Sequence, residues 1–168
     1  ALIYSGFIAG ASRDFATGVA VDSGGNAYIT GYTESTQASF PVVAGPDLTY
    51  NGGSSDAFIA KINAAGTGLV YCGFIGGSQS DKGRGVAVDS TGNAYVVGET
   101  FSDQSSFPVI TGPGLTSSGG PDVFVAKVNA AGTALVYSGY IAGAQRDFAT
   151  GVAVDAGGNA YVTGFTES

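Results

Sequence analysis

Apolar and polar residues alternate along short stretches of this chain, and turn residues separate the stretches. In residues 56–63, Phe58, Ala60 and Ile62 would face one side of a strand, and Ile59 and Lys61 the other. Glycine, asparagine and serine bound most stretches, as they do at strand ends. The pattern predicts eleven strands, at residues 2–8, Gly18–Asp22, Ala27–Thr33, Asp56–Asn63, Leu69–Ile75, Gly85–Asp89, Ala94–Thr100, Asp122–Asn129, Leu135–Ile141, Gly151–Asp155 and Ala160–Thr166.

Five residues of the first copy recur 67 residues later in the second copy and a further 66 residues later in the third. Such a period indicates a repeat architecture, in which each repeat is one supersecondary unit packed on its neighbours. A residue present in every copy is therefore expected to serve the fold of the repeat. The recurring set is Leu2, Tyr4, Asp22, Asn26 and Tyr28, then Leu69, Tyr71, Asp89, Asn93 and Tyr95, then Leu135, Tyr137, Asp155, Asn159 and Tyr161.

Four antiparallel strands in each repeat are typical of a β-propeller blade. The expected fold is all-β, with about two and a half propeller-type blades in a single repeat region, 1–168. We expect an orphan outer strand in 1–17, a first blade in 18–84, a second in 85–150 and the inner hairpin of a third in 151–168. Closed propellers have about four to eight blades, so these repeats predict an incomplete ring or an assembling array.

Three strings resemble the bacterial β-propeller repeats known as SBBP repeats, and more distantly the NHL-type propellers. They are Gly-Val-Ala-Val-Asp-Ser-Thr-Gly-Asn-Ala-Tyr-Val-Val-Gly at 85–98, Asp-Ala-Phe-Ile-Ala-Lys-Ile-Asn at 56–63 and Leu-Val-Tyr-Ser-Gly-Tyr-Ile-Ala-Gly at 135–143. The resemblance extends over the whole chain. It implies a secreted or cell-surface protein of bacterial type, and it brings no set of catalytic residues.

The outer copies of the repeat are nearly identical. Segments 1–35 and 134–168 differ at only six positions, whereas the middle copy departs more from both. The copies thus alternate as they would if two blades formed the higher unit of repetition. This alternation suits a long array or a head-to-tail assembly, because heterologous contacts that do not close extend indefinitely.

Composition narrows the choice of partners. The 29 glycines and the 44% hydrophobic content favour packed strands over helices or disorder. Six basic and thirteen acidic residues give a formal net charge of −7, which repels nucleic acid, so we expect no nucleic-acid partner. The apolar stretches are too short for a helix that crosses a bilayer, so we expect no membrane insertion.

Catalytic constellations are largely missing from the sequence. The chain has no histidine, which excludes a Ser-His-Asp triad, a Cys-His pair and His-ligated zinc. Cys72 is the single cysteine, and Ser5 and Ser138 occupy the equivalent positions, so we interpret it as a structural thiol. We expect no catalytic residue, no cofactor and no enzymatic activity in this segment.

Calcium is the best candidate ion, because Asp and Asn recur at short spacing in each hairpin turn and supply hard oxygen ligands. The alternative is that these side chains cap the turns. The candidate positions are Asp22, Asn26, Asp89, Asn93, Asp155 and Asn159.

Other repeated charges have structural interpretations. Lys61 and Lys127 lie close in sequence to Asp56 and Asp122 and could pair with them along or across strands. Aspartates that precede the inner strands could form a local ion pair or a turn cap, with a surface recognition site as the alternative. These aspartates are Asp14, Asp81 and Asp147.

Two long connections, residues 34–55 and 101–121, could bind a ligand, since loops of this length are often functional. Asp47, Tyr50, Asn51 and Asp103 offer aromatic stacking and hydrogen bonds of the kind that glycans use. The alternative is a solvated connector. Each connection also carries a Phe-Pro-Val element, which we expect to tuck its phenylalanine against the sheet edge.

The sequence therefore favours a non-enzymatic extracellular or cell-surface protein with a structural or adhesive scaffolding role. Its partners would be other copies of itself or further repeats of the same polypeptide, joined through edge strands into a filament or a larger propeller. Two alternatives stay open. One is a repeat-wise module that binds glycans or another ligand, and the other is a fragment of a propeller enzyme whose site lies outside this segment.

Overall fold

The computed structural model describes residues 2–167, and in this range the chain forms ten β-strands. No helix long and apolar enough to cross a membrane is found among these residues. The fold is all-β, as the alternation predicts. The strands are β1 (Asp14–Val21), β2 (Ala27–Thr33), β3 (Asp56–Ile62), β4 (Leu69–Ile75), β5 (Asp81–Val88), β6 (Ala94–Thr100), β7 (Asp122–Val128), β8 (Leu135–Ile141), β9 (Asp147–Val154) and β10 (Ala160–Thr166).

The strands form two four-stranded sheets and one hairpin, all antiparallel and in sequence order. Strands β1–β4 make the first sheet, here called blade 1, and β5–β8 make the second, blade 2. Strands β9 and β10 pair only with each other and are called the third hairpin. The described sheets are open, as expected of an incomplete set of propeller-type blades.

The inner strands β1, β5 and β9 begin four residues earlier than predicted, because pairing continues across a glycine bulge. In β1 the register shifts between Ala16 and Gly18, and Phe15 still pairs with Tyr32 beyond the shift. The facing strand has Gly31 at this point, where a Cβ atom would lie 1.8 Å from the Phe15 carbonyl oxygen. The close approach of β1 and β2 at the bulge therefore requires glycine at position 31. Glycines at the bulge interrupt the apolar alternation from which the strand bounds were predicted.

The predicted outer strand at residues 2–8 is not a strand, because no third strand lies beside it within residues 2–167. It nevertheless lies against blade 1 as β4, the outer strand of blade 1, lies against blade 2. The Tyr4 ring lies directly over Gly66, as the Tyr71 ring of β4 lies over Gly132 of blade 2. Residues 2–167 thus form ten strands instead of the expected eleven.

The main core lies between the two blades. Tyr28, Ile59, Tyr71 and Ile75 of blade 1 form one buried cluster with the facing side chains of blade 2. The blade 2 members include Val96, Phe124, Ala126, Val128 and Tyr140. Because both faces of a blade are apolar, each blade requires a neighbour on either side.

The long connections cover the outer strands. In residues 34–55, Phe40 is buried and packs on Phe58 and Phe74, with ring centroids 5.2 and 5.6 Å apart. Beyond it, the amide nitrogen of Val43 donates to the Cys72 carbonyl oxygen, and Cys72 donates back to Val43. The second connection repeats this arrangement along β8. The exposed edges of β4 and β8 are therefore partly capped, which limits pairing with another chain there.

Candidate functional site

A polar cluster closes the inner hairpin of blade 1 and is called a turn cluster. Asp22 Oδ1 accepts hydrogen bonds from the amide nitrogens of Gly24 and Asn26, both at 2.9 Å. Its Oδ2 accepts one from Asn26 Nδ2 at 2.9 Å. The Lys61 ammonium from β3 completes the cluster, 3.6 Å from Asp22 Oδ2 and 4.7 Å from the centroid of the Tyr28 ring. Blade 2 repeats the cluster with Asp89, Asn93, Tyr95 and Lys127.

These contacts stabilise the ionised aspartates. The side-chain hydrogen bond from Asn26, with smaller contributions from Tyr28 and Lys61, lowers the pKa of Asp22 to about 2. Burial acts to raise the pKa of Asp89, but hydrogen bonds from Asn93 and Thr91 outweigh it and lower that pKa. The Asp22 and Asp89 carboxylates, two of the calcium candidates, thus already accept hydrogen bonds and face a lysine. This geometry favours turn capping over the calcium hypothesis.

The turn cluster also joins one blade to the next. The Tyr28 hydroxyl lies 3.1 Å from Asp22 Oδ2 and 3.3 Å from the Gly92 carbonyl oxygen in the turn of blade 2. In blade 2, the Tyr95 hydroxyl lies 3.0 Å from Asp89 Oδ2 and 3.0 Å from the Gly158 carbonyl oxygen of the third hairpin. The repeated tyrosine therefore links successive turns through its single hydroxyl group.

The turn cluster of the third hairpin is incomplete. Asp155 accepts hydrogen bonds from Asn159 and Tyr161, and these bonds lower its pKa. No lysine ion pair to Asp155 is found within residues 2–167, whereas the other two clusters each contain one. Tyr161 is 58% exposed, although Tyr28 and Tyr95 are 0% exposed. The missing lysine is the one that a third strand of this blade would supply.

The lysines do not pair with the aspartates that sequence proximity suggested. Lys61 pairs with Asp22 and Lys127 with Asp89, because Asp56 and Asp122 lie at the opposite ends of β3 and β7. The expected pairing with Asp56 and Asp122 was therefore wrong. Strand length explains the error, since five residues of extended chain separate Asp56 from Lys61 by about 16 Å.

A second row of aspartates lies at the other end of the blades, and several of them are buried. Asp56 at the start of β3 is 0% exposed and accepts a 2.7 Å hydrogen bond from the Asn51 amide nitrogen through Oδ2. Its Oδ1 has no hydrogen-bond partner. Asp81 of the next blade is also 0% exposed and accepts hydrogen bonds from Gly77 and Ser102.

Burial raises the pKa of these aspartates. Desolvation, together with the negative charge of Asp81, raises the pKa of Asp56 to about 8, although the Asn51 hydrogen bond acts in the opposite direction. Desolvation also raises the pKa of Asp81 to about 6 against several stabilising hydrogen bonds. Sequence reasoning missed Asp56 as a perturbed group. The available signal was its recurrence as Asp122 at the same strand start.

The aspartates that begin the inner strands cap turns. Each accepts a hydrogen bond from the amide nitrogen four residues earlier: Asp14 from Gly10, Asp81 from Gly77 and Asp147 from Gly143. The adjacent basic residues pair elsewhere, since Arg13 contacts Glu34 at 3.0 Å and Arg84 contacts Glu99 at 2.6 Å. The geometry therefore corresponds to the turn-cap interpretation.

Three of the ligand-binding candidates lie together in the first long connection. Asp47 accepts hydrogen bonds from the Thr49 amide nitrogen at 2.8 Å and from Asn51 Nδ2 at 2.7 Å. The Tyr50 hydroxyl donates to the Gly53 carbonyl oxygen at 3.2 Å, and its ring packs edge-on against Phe74. Their polar groups thus hold the connection in its conformation.

Asp103 lies in the second connection and does not join the other three candidates. It accepts hydrogen bonds from the Ser105 amide nitrogen and hydroxyl, which lower its pKa. The positions equivalent to Tyr50 and Asn51 are Ser117 and Ser118 in this connection. The four candidates therefore do not form one site that repeats from blade to blade.

Other reactive groups are quiescent. Cys72 is buried, and burial raises the pKa of its thiol to about 12, so the thiolate is scarce near neutral pH. Within residues 2–167, no three His, Cys, Asp or Glu side chains converge in a group that could hold a metal ion.

The two ends of the stacked sheets expose positions that are buried inside the stack. On blade 1, Val19 is 68% exposed, whereas the equivalent Val86 of blade 2 is 8% exposed because blade 1 covers it. We call this side of blade 1, with Val19, Ile29 and Phe58, the trailing face. On the third hairpin, the side with Tyr161 and Thr163 is called the leading face, and both residues are exposed.

Comparison with known proteins gives a family match for two segments. The model of the SBBP family, described as a beta-propeller repeat, matches residues 5–36 and 73–103. Each segment contains an inner strand and the second strand paired with it, so the match coincides with the hairpins that carry the turn clusters. A search of curated proteins finds no match. The expected resemblance to SBBP repeats is confirmed.

Proposed function

Because the chain carries beta-propeller repeats of the SBBP family, we propose that it is a non-enzymatic structural scaffold that assembles through its open blade surfaces. Its partners are other copies of the chain or further repeats of the same polypeptide. We place the assembly outside the cell or on its surface, where it has a structural or adhesive role. The resemblance to SBBP repeats, which implies a secreted or cell-surface protein, supports this location.

The free edge of β10 is the observation that carries the proposal. Strand β10 pairs only with β9, whereas the equivalent strands β2 and β6 each have neighbours on both sides. Connections lie along the outer edges of β4 and β8, but no described segment lies along β10. An uncovered strand edge beside an apolar face is a template for another strand.

A charged variant of the leading face tests the assembly. Thr163 is exposed, yet the equivalent residues Thr30 and Val97 are 0% exposed inside the stacked blades. Thr163→Lys should therefore leave the isolated chain folded and abolish its association with a partner. Light scattering after size-exclusion chromatography should show the wild type at multiples of 16.5 kDa and the variant near 16.5 kDa.

Ser90→Lys is the matched control, because it adds the same charge at an exposed position in the hairpin turn of blade 2. It should associate as the wild type does. Equal masses for both lysine variants would contradict a role for the leading face. A wild type that stays at the mass of one chain across the accessible concentrations would contradict assembly itself.

The location needs an independent test. Antibodies against the purified chain should label intact, non-permeabilised cells that produce the protein, or should detect the protein in the medium. Labelling only after permeabilisation would contradict the extracellular part of the proposal and leave the assembly part standing.

The two alternatives make different predictions. A glycan-binding module should bind to a glycan array, and Tyr50→Ala should abolish that binding. The Tyr50 hydroxyl, however, already donates a hydrogen bond within its own loop. A fragment of a propeller enzyme should gain activity only together with repeats outside this segment. The scaffold proposal expects no retention and no such activity.

A further inference from the structure

The third hairpin lacks groups that both blades obtain from their third strand. In blade 1, β3 supplies Lys61 to the turn cluster, and the Phe58 carbonyl oxygen accepts a 2.8 Å hydrogen bond from the Thr30 hydroxyl. The hairpin has the equivalent acceptors and donors in Asp155, Tyr161 and Thr163. A strand with the sequence pattern of β3, paired along β10, would supply the missing lysine and carbonyl oxygen.

The third hairpin is a close copy of the first hairpin, β1–β2. Over residues 14–33 and 147–166 the two differ at three positions, where Ala156, Val162 and Phe165 replace Ser23, Ile29 and Tyr32. Each replacement is conservative. Strand β10 therefore fits beside β3 in the register that β2 uses, with Val162 opposite Ala60 as Ile29 is now.

Apolar surfaces on the two blades also complement each other. Val125, Tyr137 and Ile141 of blade 2 line a groove of about 440 Å³ beside β10. Their equivalents in blade 1, namely Ile59, Tyr71 and Ile75, are buried against β7 and β8. The blade 2 side chains that cover them are Phe124, Ala126, Val128 and Tyr140. The equivalent residues of blade 1 are Phe58, Ala60, Ile62 and Phe74, and they lie on its trailing face.

We propose that copies of this chain assemble by strand exchange, in which the third hairpin of one copy replaces the first hairpin beside β3 of the next. The inference rests on the proposed function and specifies its partner and its contact. The composite blade contains β9 and β10 of one copy and β3 and β4 of the other. Exchange of a nearly identical element between copies is a low-cost route to association.

The exchange gives the third hairpin the contacts with β3 that the first hairpin of the second copy gives up, and it also covers the apolar groove on blade 2. Lys61 of the second copy reaches the Asp155 cluster, and the trailing side of its β3 and β4 covers the groove on blade 2. The element released is the segment that precedes β3 in the second copy. Its first part, residues 2–8, forms no strand and borders a groove of about 470 Å³ on blade 1, whereas the equivalent strand β8 is paired with β7.

Blade number follows from this arrangement. Each copy adds blade 2 and one composite blade, so a closed assembly has twice as many blades as chains. The usual range of four to eight blades then corresponds to two, three or four chains.

Trans-disulfide formation tests the exchange directly. One chain carries Val162→Cys and the other Ala60→Cys, both in a Cys72→Ser background, since serine already occupies the equivalent positions as Ser5 and Ser138. Mixed under mild oxidation at a concentration where the wild type associates, they should form a disulfide between copies. Peptide mapping identifies whether the bond joins position 162 of one copy to position 60 of the other.

A single chain with Val96→Cys and Ala126→Cys is the positive control, because these residues pair in the same register within blade 2. If the control bond forms and the oligomers contain no bond between positions 162 and 60, the exchange is overturned while assembly stands. If the wild type and the mixture stay monomeric, both the exchange and the proposed function are overturned.

Hydrogen exchange of the unmodified protein gives a second readout. On association, amide protection should rise in residues 160–166 and fall in residues 27–33, because the third hairpin takes the place of the first. Oligomers in which both segments are protected would show that copies stack without exchange, and this result would overturn the inference.

Discussion

At the residue scale, each turn cluster combines a local cap with a link between blades. Asp89 accepts hydrogen bonds from donors of its own turn. The Tyr95 hydroxyl lies within hydrogen-bond distance of both Asp89 and the Gly158 carbonyl oxygen of the next turn. One tyrosine thus contributes a buried ring to the core and a polar contact to the neighbouring blade. This dual role explains why the tyrosine recurs in every repeat.

Removing one tyrosine hydroxyl tests this role. Tyr95→Phe should lower the free energy of unfolding by about 1–2 kcal/mol, because Asp89 and the Gly158 carbonyl oxygen lose a hydrogen-bond donor. Tyr161→Phe removes the same atom from an exposed ring and should cost less than about 0.5 kcal/mol. Urea denaturation at a concentration where the chain is monomeric compares them. Equal losses would contradict the assigned link.

The buried Asp56 predicts an unusual dependence of stability on pH. Its pKa of about 8 in the folded chain lies above the ordinary value of 3.8, so the folded state retains a proton that the unfolded state releases between these values. The free energy of unfolding should therefore decrease as the pH rises from about 4 to about 8. The lowered pKa of Asp22 acts in the opposite sense only below about pH 4.

Asp56→Asn isolates this contribution. The asparagine keeps an oxygen for the Asn51 amide but cannot ionise, so the stability loss between pH 6 and pH 8 should shrink by roughly 2 kcal/mol. Denaturant melts at both pH values measure the difference. A wild type whose stability is constant or increases over this range would contradict the assignment, as would an unchanged slope in the variant.

At the element scale, stacking of the blades depends on close approach between an aromatic ring and a turn glycine. Gly132, in the turn between β7 and β8, has a φ of +78°, and a Cβ atom there would lie 2.1 Å from the Tyr71 ring. Gly66 meets Tyr4 in the same way. The outer strand of one blade therefore packs on the turn of the next, and only glycine allows it.

Two alanine substitutions separate the cost of positive φ from the cost of a steric collision with the tyrosine ring. Gly119→Ala changes a residue with positive φ but open space around it, and should cost about 1 kcal/mol. Gly132→Ala adds the collision with Tyr71 and should cost about 2 kcal/mol more. Thermal unfolding of the two variants measures the difference. Equal costs would show that Tyr71 does not limit the approach.

Most of the elements could be predicted from the sequence because both periodicity and repetition mark them. Strands β2, β4, β6, β8 and β10 have the predicted bounds. The inner strands extend across bulges that interrupt alternation, so their first residues were missed. Residues 2–8 match β4 in sequence but not in structure, because strand formation requires a neighbour that sequence similarity does not supply.

The candidate site was less predictable because its chemistry depends on contacts between elements. The turn residues Asp22 and Asn26 could be identified from local spacing alone. The partner of Asp22, Lys61, lies 39 positions away and was assigned to Asp56 instead. Asp56 is also contacted by Asn51 of the long connection and lies beside Gly76 after β4, an arrangement that a local pattern does not encode.

At the scale of the whole molecule, one chain has a closed interior and two open ends. The interface between the blades is complete, whereas Val19 and Tyr161 mark ends at which repeated positions are exposed. A repeat of this kind gains stability from each added neighbour, because every neighbour buries another apolar face. Association is therefore the expected consequence of the architecture.

Sedimentation velocity over a wide concentration range tests this central claim most directly. The account predicts a reversible shift from a 16.5 kDa species to discrete multiples of that mass, or to longer fibres, as the concentration rises. Thr163→Lys should remain at 16.5 kDa throughout. A wild-type chain that sediments as a single monomeric species at every concentration would contradict the claim that its open blade surfaces join copies together.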